Sequence, residues 1–589
     1  GYIYSYLDAG YGTESGDWWD PWWAGNESYL YVNETDQVAF SPVSIPNSSS
    51  AGGAMTGIRI DGFSGLGTVM TIRVGSGPIR HGFPRLEAVG TGLSGSSLAA
   101  LNGSKYGPGI LLAATADGRL YGWSADGNKL FAEGNYIVAW PLVAPAVPPI
   151  FTDLDGNGTT DLLYVGVNGE LFYYDLQPNP AAPGLLNLRG VYPFGDSLRM
   201  RIALTKGWTP TLILGNSRGS ISAIRYDSGN GTLKSTASLE GNGSAVSGIA
   251  ITPDGLIVAA CDDGLITALR LDPLTLVWQK KSSVASAQPL IADFDGVPGY
   301  EIVLIGRDGS FDKFTSDGTA LGSYQPPVGF SGIQAPAIGD IDLDGLPEIL
   351  CAAREGAAAF EFTGALVFNF PVTPAAPTET APGSPVFLKK SGQGGAWMAF
   401  IGSDGFVHAV NQSGEEAVGF PLDAGAAADA ALIIDHMGIT SELQLIAAGA
   451  DGSLNMYNLG IRVDEYEQIW ARGGSGERRS FCLPGDTQGV VQSADLMPAK
   501  KVFSYPNPVT EGAANIRFTL ARPAERVLIR IFDLAGNFVG ELSREGLLPG
   551  DHEIAWEVSG VQSGVYFARV TALSGGENRF EIIKIAVTH

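Results

Sequence analysis

FTDLDGNGTTDLLYVGVNGELFYY, residues 151–174, holds both features that decide the fold. Its first half alternates the oxygen-bearing side chains of Asp153, Asp155, Asn157, Thr159 and Asp161, with Gly156 and Gly158 placed to let the chain turn. Oxygen donors at every second position form a donor set for a hard divalent cation. A helix-flanked cation loop would need helical periodicity on both sides, yet this loop runs straight into DLLYVGV, which reads as a strand. The second half is an apolar strand, a turn ending in glycine and an alternating strand.

That second half recurs. The copies are LLAATADGRLYGW, LLYVGVNGELFYY, LILGNSRGSISAI, IVAACDDGLITAL, IVLIGRDGSFDKF, ILCAAREGAAAFEF, MAFIGSDGFVHAV and LIAAGADGSLNMY. Their turn glycines, Gly118, Gly169, Gly219, Gly264, Gly309, Gly356, Gly405 and Gly452, lie 45 to 51 residues apart. A hairpin turn that needs positive φ selects glycine. Aromatic-proline words (HGFP, AWPL, FNFP, VGFP) fall between copies, where they would close an outer strand. A period of this length with about four strands per unit predicts a β-propeller. The fold class is therefore all-β. Eight copies give eight blades, or seven if the first or last copy belongs to a neighbouring domain.

The opening loop falls between the first and second strands of its unit. Similar loops stand at ADFDGVPGYEIV (Asp293, Asp295, Glu301) and GDIDLDGLPEIL (Asp340, Asp342, Asp344, Glu348). Residues 79–472 thus resemble the FG-GAP/VCBS repeats of integrin-type propellers, in which such loops bind calcium. The resemblance implies one site from Asp153, Asp155, Asn157, Asp161 and the Thr159 carbonyl. It implies a second from Asp340, Asp342, Asp344, Glu348 and the Leu346 carbonyl. In the middle copy Val297 replaces a donor, so Asp293, Asp295 and Glu301 form a weaker site. The last unit, IIDHMGITSELQ, retains Asp435 and Glu442 and is expected to be metal-free. Ions held within single loops would act as rivets.

Two flanking regions depart from the repeat. Residues 1–78 form a predicted β-rich module around GDWWDPWWAG, whose four tryptophans suit either a sugar- or partner-binding platform or simple packing. This stretch resembles the region downstream of the catalytic domain in immune-inhibitor-A-type secreted metalloproteases. None of the five histidines forms the H-E-x-x-H of such a catalytic domain. Residues 473–500 read as a linker. Residues 501–589 alternate at period two between turns at AGN and PG, which predicts a β-sandwich. Tyr505-Pro506-Asn507-Pro508, IFDLAGN, SGVYF and the terminal Lys584-Ile585 strand resemble the C-terminal sorting domain of type IX secretion substrates. That family shares an immunoglobulin-like form with the flagellar hook-capping protein. The resemblance implies export to the outer surface of a gram-negative bacterium.

Composition narrows the function. The net charge of −25 without a basic cluster argues against nucleic-acid binding. No apolar run reaches 18 residues, so no transmembrane helix is predicted. The chain opens at Gly1 without a signal peptide, which suits a processed form. Cys261, Cys351 and Cys482 are odd in number and widely spaced, which does not support a disulfide or zinc framework, and Cys261 and Cys351 lie in apolar strands where buried free thiols are expected. GNSRG matches a nucleophile pattern but is one of the eight turns, and LDPLTLVW resembles a single repeat of quinone-dependent propeller enzymes. No phosphate loop or dinucleotide fingerprint is present. The expected function is non-catalytic: a secreted or cell-surface structural or adhesion protein, with self-assembly into a filament or coat, protein partners and surface glycans as open alternatives. The competing reading is an accessory, substrate- or surface-binding region of a secreted metalloprotease precursor.

Overall fold

The computed structural model describes residues 22–33, 38–40, 44, 48, 58–65, 68–75, 83, 85–86, 93–101, 109–131, 136–138, 143–176, 186–193, 201–326, 330–372, 383–472, 482–483, 496–497 and 502–588, with short omissions inside these ranges. The chain divides into two compact units, residues 1–294 with 299–485, and residues 486–589 with 295–298. It is nearly all-β. Among the described residues the one α-helix, Glu27–Val32, is capped by Asn26, whose side chain accepts from the Tyr29 amide.

In the first unit, eight blade-like antiparallel sheets follow one another among the described residues. They begin at Leu93–Leu101, Ile150–Thr152, Arg201–Leu204, Val246–Ile251, Gln288–Ala292, Ala337–Gly339, Val386–Lys390 and Ala431–Asp435, and are numbered here sheets 1 to 8 in that order. Sheets 1 to 5 each contain four strands in chain order. The second strands, such as Ile257–Cys261 and Glu301–Ile305, are buried along their whole length. Covered on both faces, they read as continuous apolar runs rather than alternating ones. Outer strands such as Thr232–Leu239 are mostly exposed. All eight turn glycines adopt positive φ, from 80° to 130°.

Consecutive sheets share hydrophobic cores. Leu112 and Ala114 of sheet 1 pack with Leu162 and Tyr164 of sheet 2, and similar clusters join each following pair. Ile433, Ile446 and Met456 of sheet 8 then pack with Leu98, Leu111 and Trp123 of sheet 1, so the series of shared cores returns to its start. Arg85–Leu86 pairs with Ser453 and Leu454, which makes an early segment the outer strand of sheet 8. In sheet 6 the expected fourth strand is reduced to the isolated bridges Phe360–Leu366 and Ala357–Val372. Pro371 in the FNFP word has no N–H to donate to a ladder there. Sheet 7 instead gains a fifth strand, Tyr466–Trp470, paired with its first strand Val386–Lys390. Cys261 and Cys351 are buried thiols outside any disulfide, as expected, and Cys482 is buried as well.

His408 of sheet 7, only 3% exposed, sits between two carboxylates: Nε2 lies 3.0 Å from Asp404 Oδ2 and Nδ1 lies 3.1 Å from Glu416 Oε2. Burial opposes the charged ring, but hydrogen bonds and charge from Glu416 and Asp404 outweigh it and raise His408 above its ordinary value. A raised folded-state value means that this contribution is complete below the unfolded value of about 6.5 and disappears as pH climbs through the folded one. Urea midpoints of the first unit should therefore fall between neutral and mildly alkaline pH, and His408→Gln should flatten that fall. An equal slope in both proteins would show that His408 does not carry it.

Near the start of the described residues, Trp22 stands among Tyr29, Phe40 and Phe63 at ring-centroid distances of 5.3, 5.6 and 5.5 Å. This half-buried tryptophan packs in a local aromatic cluster, whereas Trp18 and Trp19 lie outside the described residues. So do most of the metalloprotease-like stretch and of the linker 473–500.

The second unit has two sheets facing one another across a common core. One contains Val502–Tyr505, Ala513–Leu520 and Gly550–Glu557, and the other Ala524–Asp533, Phe538–Leu547, Gly564–Ser574 and Glu577–Val587. Phe518 and Trp556 of the first sheet meet Ile529, Ile531 and Val570 of the second in that core. Asn507 fastens the YPNP word to the last strand: its Nδ2 donates to the Lys584 carbonyl at 2.8 Å, and its Oδ1 accepts from the Ala586 amide at 2.8 Å. Val509 extends the same seam by donating to the Ala586 carbonyl. Asn507→Ala removes both side-chain bonds and should cost this unit about 1–2 kcal/mol in urea unfolding. A change within error would mean that water replaces them.

Candidate metal centres

Each acidic loop joins the first strand of a sheet to the second, in sheets 2, 5 and 6. The folding logic is local. Alternate side chains turn inward to accept backbone amides, and glycine takes the left-handed positions except at Leu343 of the third loop, whose φ is 66°. In the first loop, Asp153 Oδ1 accepts from Gly156 N and Oδ2 from Gly158 N, both at 2.8 Å, with Gly156 and Gly158 at φ of 73° and 81°. Asp155 Oδ1 accepts from Asn157 N at 3.0 Å, and Asn157 Oδ1 accepts from Thr159 N at 2.6 Å. In the third loop, Asp342 accepts from Asp344 N at 3.2 Å, and Asp344 from Leu346 N at 2.8 Å. These bonds orient the side chains of each loop, and a carboxylate oxygen can accept more than one partner.

The last acidic residue of each loop opens the second strand and reaches back seven residues. Asp161 Oδ2 accepts from Leu154 N at 2.9 Å, Glu301 Oε2 from Phe294 N at 2.8 Å and Glu348 Oε2 from Ile341 N at 2.7 Å. One carboxylate oxygen is thereby spent on the backbone. The other oxygens, Asp161 Oδ1 and Glu348 Oε1, are buried and have no hydrogen-bond partner among the described residues, and the same holds for Asp340 Oδ1. Burial of a charged oxygen without a partner is costly. The sites show that cost: burial, reinforced by Asp155, Asp175 and Asp153, pushes Asp161 up to about 7. Burial also raises Glu348 well above the carboxylate range, with Asp342, Glu361, Asp344 and Asp340 adding to it. Asp340 is raised by burial and partly held down by Lys389.

Ligand-capable oxygens converge in all three loops. Asp153, Asp155 and Asp161 can bring one oxygen each within 4.8 Å of one another, as can Asp293, Asp295 and Glu301, and Asp340, Asp342 and Asp344. Glu348 stands outside that last close triad, with its Oε1 buried and unpartnered. Asn157, Thr159 and Leu346 lie in the loops where the repeat pattern puts them. A donor set made wholly of oxygen, with buried oxygens lacking any proton donor, suits a hard divalent cation.

Three features escaped sequence reasoning. Asp175, whose Oδ1 is also buried without a partner, pairs across the strands with Asp161, and its other oxygen is 3.0 Å from Arg189 Nε. A cross-strand register could have found it. Lys389 Nζ lies 2.8 Å from Asp340 Oδ2, and Gln468 Oε1 accepts from Asp340 N at 3.0 Å. Neither contact has a sequence signal, because they bridge 49 and 128 residues. The loop of sheet 8 needs a correction. Its seven-residue bond runs from Met437 N to Gln444 Oε1 at 2.9 Å, so the repeat register there starts at His436 and ends at Gln444, not at Asp435. The Gln444 amide nitrogen donates to the Glu442 carbonyl and to Asn458, and Asp435 pairs with Arg472 at 2.6 Å. A donor amide thus stands where the other loops have a second carboxylate oxygen.

Ser217 of GNSRG lies in an ordinary hairpin turn, in which Asn216 Oδ1 accepts from Arg218 N and Ser220 N. No helix among the described residues is long and apolar enough to cross a membrane.

Among solved structures the chain is similar to Sqt1 from Chaetomium thermophilum, at 14% identity over 65% of this chain and 98% of that one, with a TM-score of 0.47. It is similar to BamB from Moraxella catarrhalis, at 15% identity over 64% and 100% of the two chains and a TM-score of 0.41. A third propeller-like neighbour is BBS1N, crystallised in complex with ARL6DN, at 15% identity, 55% and 94% coverage and a TM-score of 0.36. No curated protein matches the sequence. Residues 504–584 match the family described as "Secretion system C-terminal sorting domain". The chain therefore carries a type IX secretion sorting domain at its C-terminal end, which marks it as a secreted or cell-surface protein.

Proposed function

We propose that this chain is a non-catalytic structural or interaction protein of the outer surface of a gram-negative bacterium. In this reading it is an eight-bladed propeller of the FG-GAP/VCBS kind, riveted by calcium and delivered by an immunoglobulin-like sorting domain. The observation that carries the reading is the set of buried, unpartnered carboxylate oxygens at Asp161, Asp340 and Glu348, each within an acidic loop between first and second strands. Asp153, Asp155, Asn157, Asp161 and the Thr159 carbonyl would hold one ion. Asp340, Asp342, Asp344, Glu348 and the Leu346 carbonyl would hold another. Asp293, Asp295 and Glu301 would hold a third more weakly, since Val297 brings no donor. Calcium supplies the positive charge that these oxygens lack, and its tolerance of irregular oxygen shells suits loops of this kind.

Calcium titration of the full chain by calorimetry tests the proposal. Two tight sites and one weaker site are expected, with Asp155→Asn and Asp344→Asn each removing one tight site. The absence of any calcium heat would overturn the reading. Negative-stain microscopy of the secreted material separates the versions of the function. Regular fibres would identify a second copy of this chain as its partner, and single particles would point to a surface-bound interaction module. A zymogram showing co-purified metalloprotease activity would favour an accessory role in a protease precursor.

A further inference from the structure

We propose that residues 466–472, the stretch that follows the eighth sheet, form a latch whose seating depends on the ion in loop 340–348. The inference rests on the calcium reading of that loop and adds Gln468 and Lys389 to the site as positioning residues.

The latch strand is held along two edges. On one it pairs with the first strand of sheet 7, with Phe387 opposite Trp470, Leu388 opposite Ile469 and Lys389 opposite Gln468. Its other contacts reach the metal loop itself. The Gln468 side-chain oxygen accepts from the Asp340 backbone amide at 3.0 Å. Lys389 Nζ lies 2.8 Å from Asp340 Oδ2 and 3.4 Å from Glu467 Oε1, so one ammonium ties the loop to the latch. Asp340 is thus shared three ways. Its amide goes to the latch, its Oδ2 to Lys389 and to Gly345 N, and its Oδ1 is buried without a partner. Beyond the strand, Ile434 N donates to the Ala471 carbonyl at 2.8 Å and Arg472 pairs with Asp435, which hold the latch to sheet 8 independently of the loop.

An ion held through Oδ1 would keep Asp340 where its amide faces Gln468 of the latch and its Oδ2 faces Lys389. Without calcium, the buried oxygens of Asp340 and Glu348 would carry the full cost of burial without a partner, which opening of the loop to water relieves. The Asp340 amide would then leave Gln468, and Lys389 would no longer bridge the loop to Glu467 of the latch. Two events that each favour the other are thermodynamically coupled, and the coupling is reciprocal.

The test is amide hydrogen exchange by mass spectrometry on the full chain, read on peptides covering residues 463–472. Wild type is compared in saturating calcium and in chelator, beside Asp344→Asn and Asp155→Asn in calcium. The latch predicts exchange about 5-fold faster or more, the low end of usual couplings, in chelated wild type and in Asp344→Asn. Asp155→Asn, which disables the loop of sheet 2, should match calcium-loaded wild type. Gln468→Ala should weaken calcium binding at loop 340–348 by the same factor. Unchanged exchange in Asp344→Asn, with calcium stoichiometry reduced by one, would overturn the latch while leaving the metal reading intact. No calcium uptake by wild type would instead remove the metal reading and the latch with it. Equal acceleration in Asp155→Asn would mean general loosening and would also overturn the latch.

Discussion

Withdrawing calcium should lower the melting temperature of the first unit by about 5–10 °C and should leave the transition of the sorting-domain unit where it was. The size follows from linkage. An ion bound only by the folded loop contributes about 2.7 kcal/mol at a free concentration a hundredfold above its dissociation constant. Two tight loops together contribute about 5 kcal/mol, and for a unit this large each kcal/mol moves the midpoint by roughly 1–2 °C. Asp161→Asn sharpens the test through its sign. In calcium the variant loses a charged ligand and melts earlier than wild type. In chelator it no longer buries an unpartnered charged oxygen, so the difference shrinks or reverses. Scanning calorimetry with and without chelator reads both effects. A first-unit transition indifferent to chelator would mean that the loops hold nothing that matters to stability.

Trp470→Ala should be among the most damaging single truncations in the first unit, at about 3–5 kcal/mol. The indole is fully buried in the cluster that joins sheets 5, 6 and 7, beside Phe387, Met398 and Phe360. Its removal opens a cavity in that shared core and also frees the end of the latch strand, because Trp470 pairs with Phe387. Urea unfolding followed by a first-unit signal measures the loss. A cost below about 1 kcal/mol would place the latch outside the cooperative unit, as a peripheral strap. Trp470→Phe, which keeps most of the apolar volume, should recover much of the difference.

The repeat was legible because its signals are local. Each unit places an apolar run, a glycine and an alternating run in about a dozen residues, and all eight glycines take the positive φ that selects them. The acidic loops were legible for the same reason: every donor lies within nine residues, and the bond from Leu154 N to Asp161 spans only seven. The sorting domain carries its motif words in fixed order, and Asn507 shows what one of them does, satisfying backbone groups on a strand 77 and 79 residues away. In the loop of sheet 8, expected to be metal-free, Asp435 and Glu442 stand one and two residues before the equivalent positions His436 and Gln444, because so reduced a copy has no local signal to fix its alignment. Only the register of the Met437–Gln444 bond reveals which positions correspond.

The sequence by itself determined the strands, their turns and the oxygen-rich loops, since each depends on residues close enough along the chain to constrain one another directly. The tertiary structure alone decided how the series of sheets is closed and held. Arg85–Leu86 completes sheet 8 from the far end of the unit, Tyr466–Trp470 enters sheet 7 out of order, and Lys389 and Gln468 meet at Asp340. Nothing periodic marks those residues, because the partners that define them are brought near only when the ring of shared cores has formed.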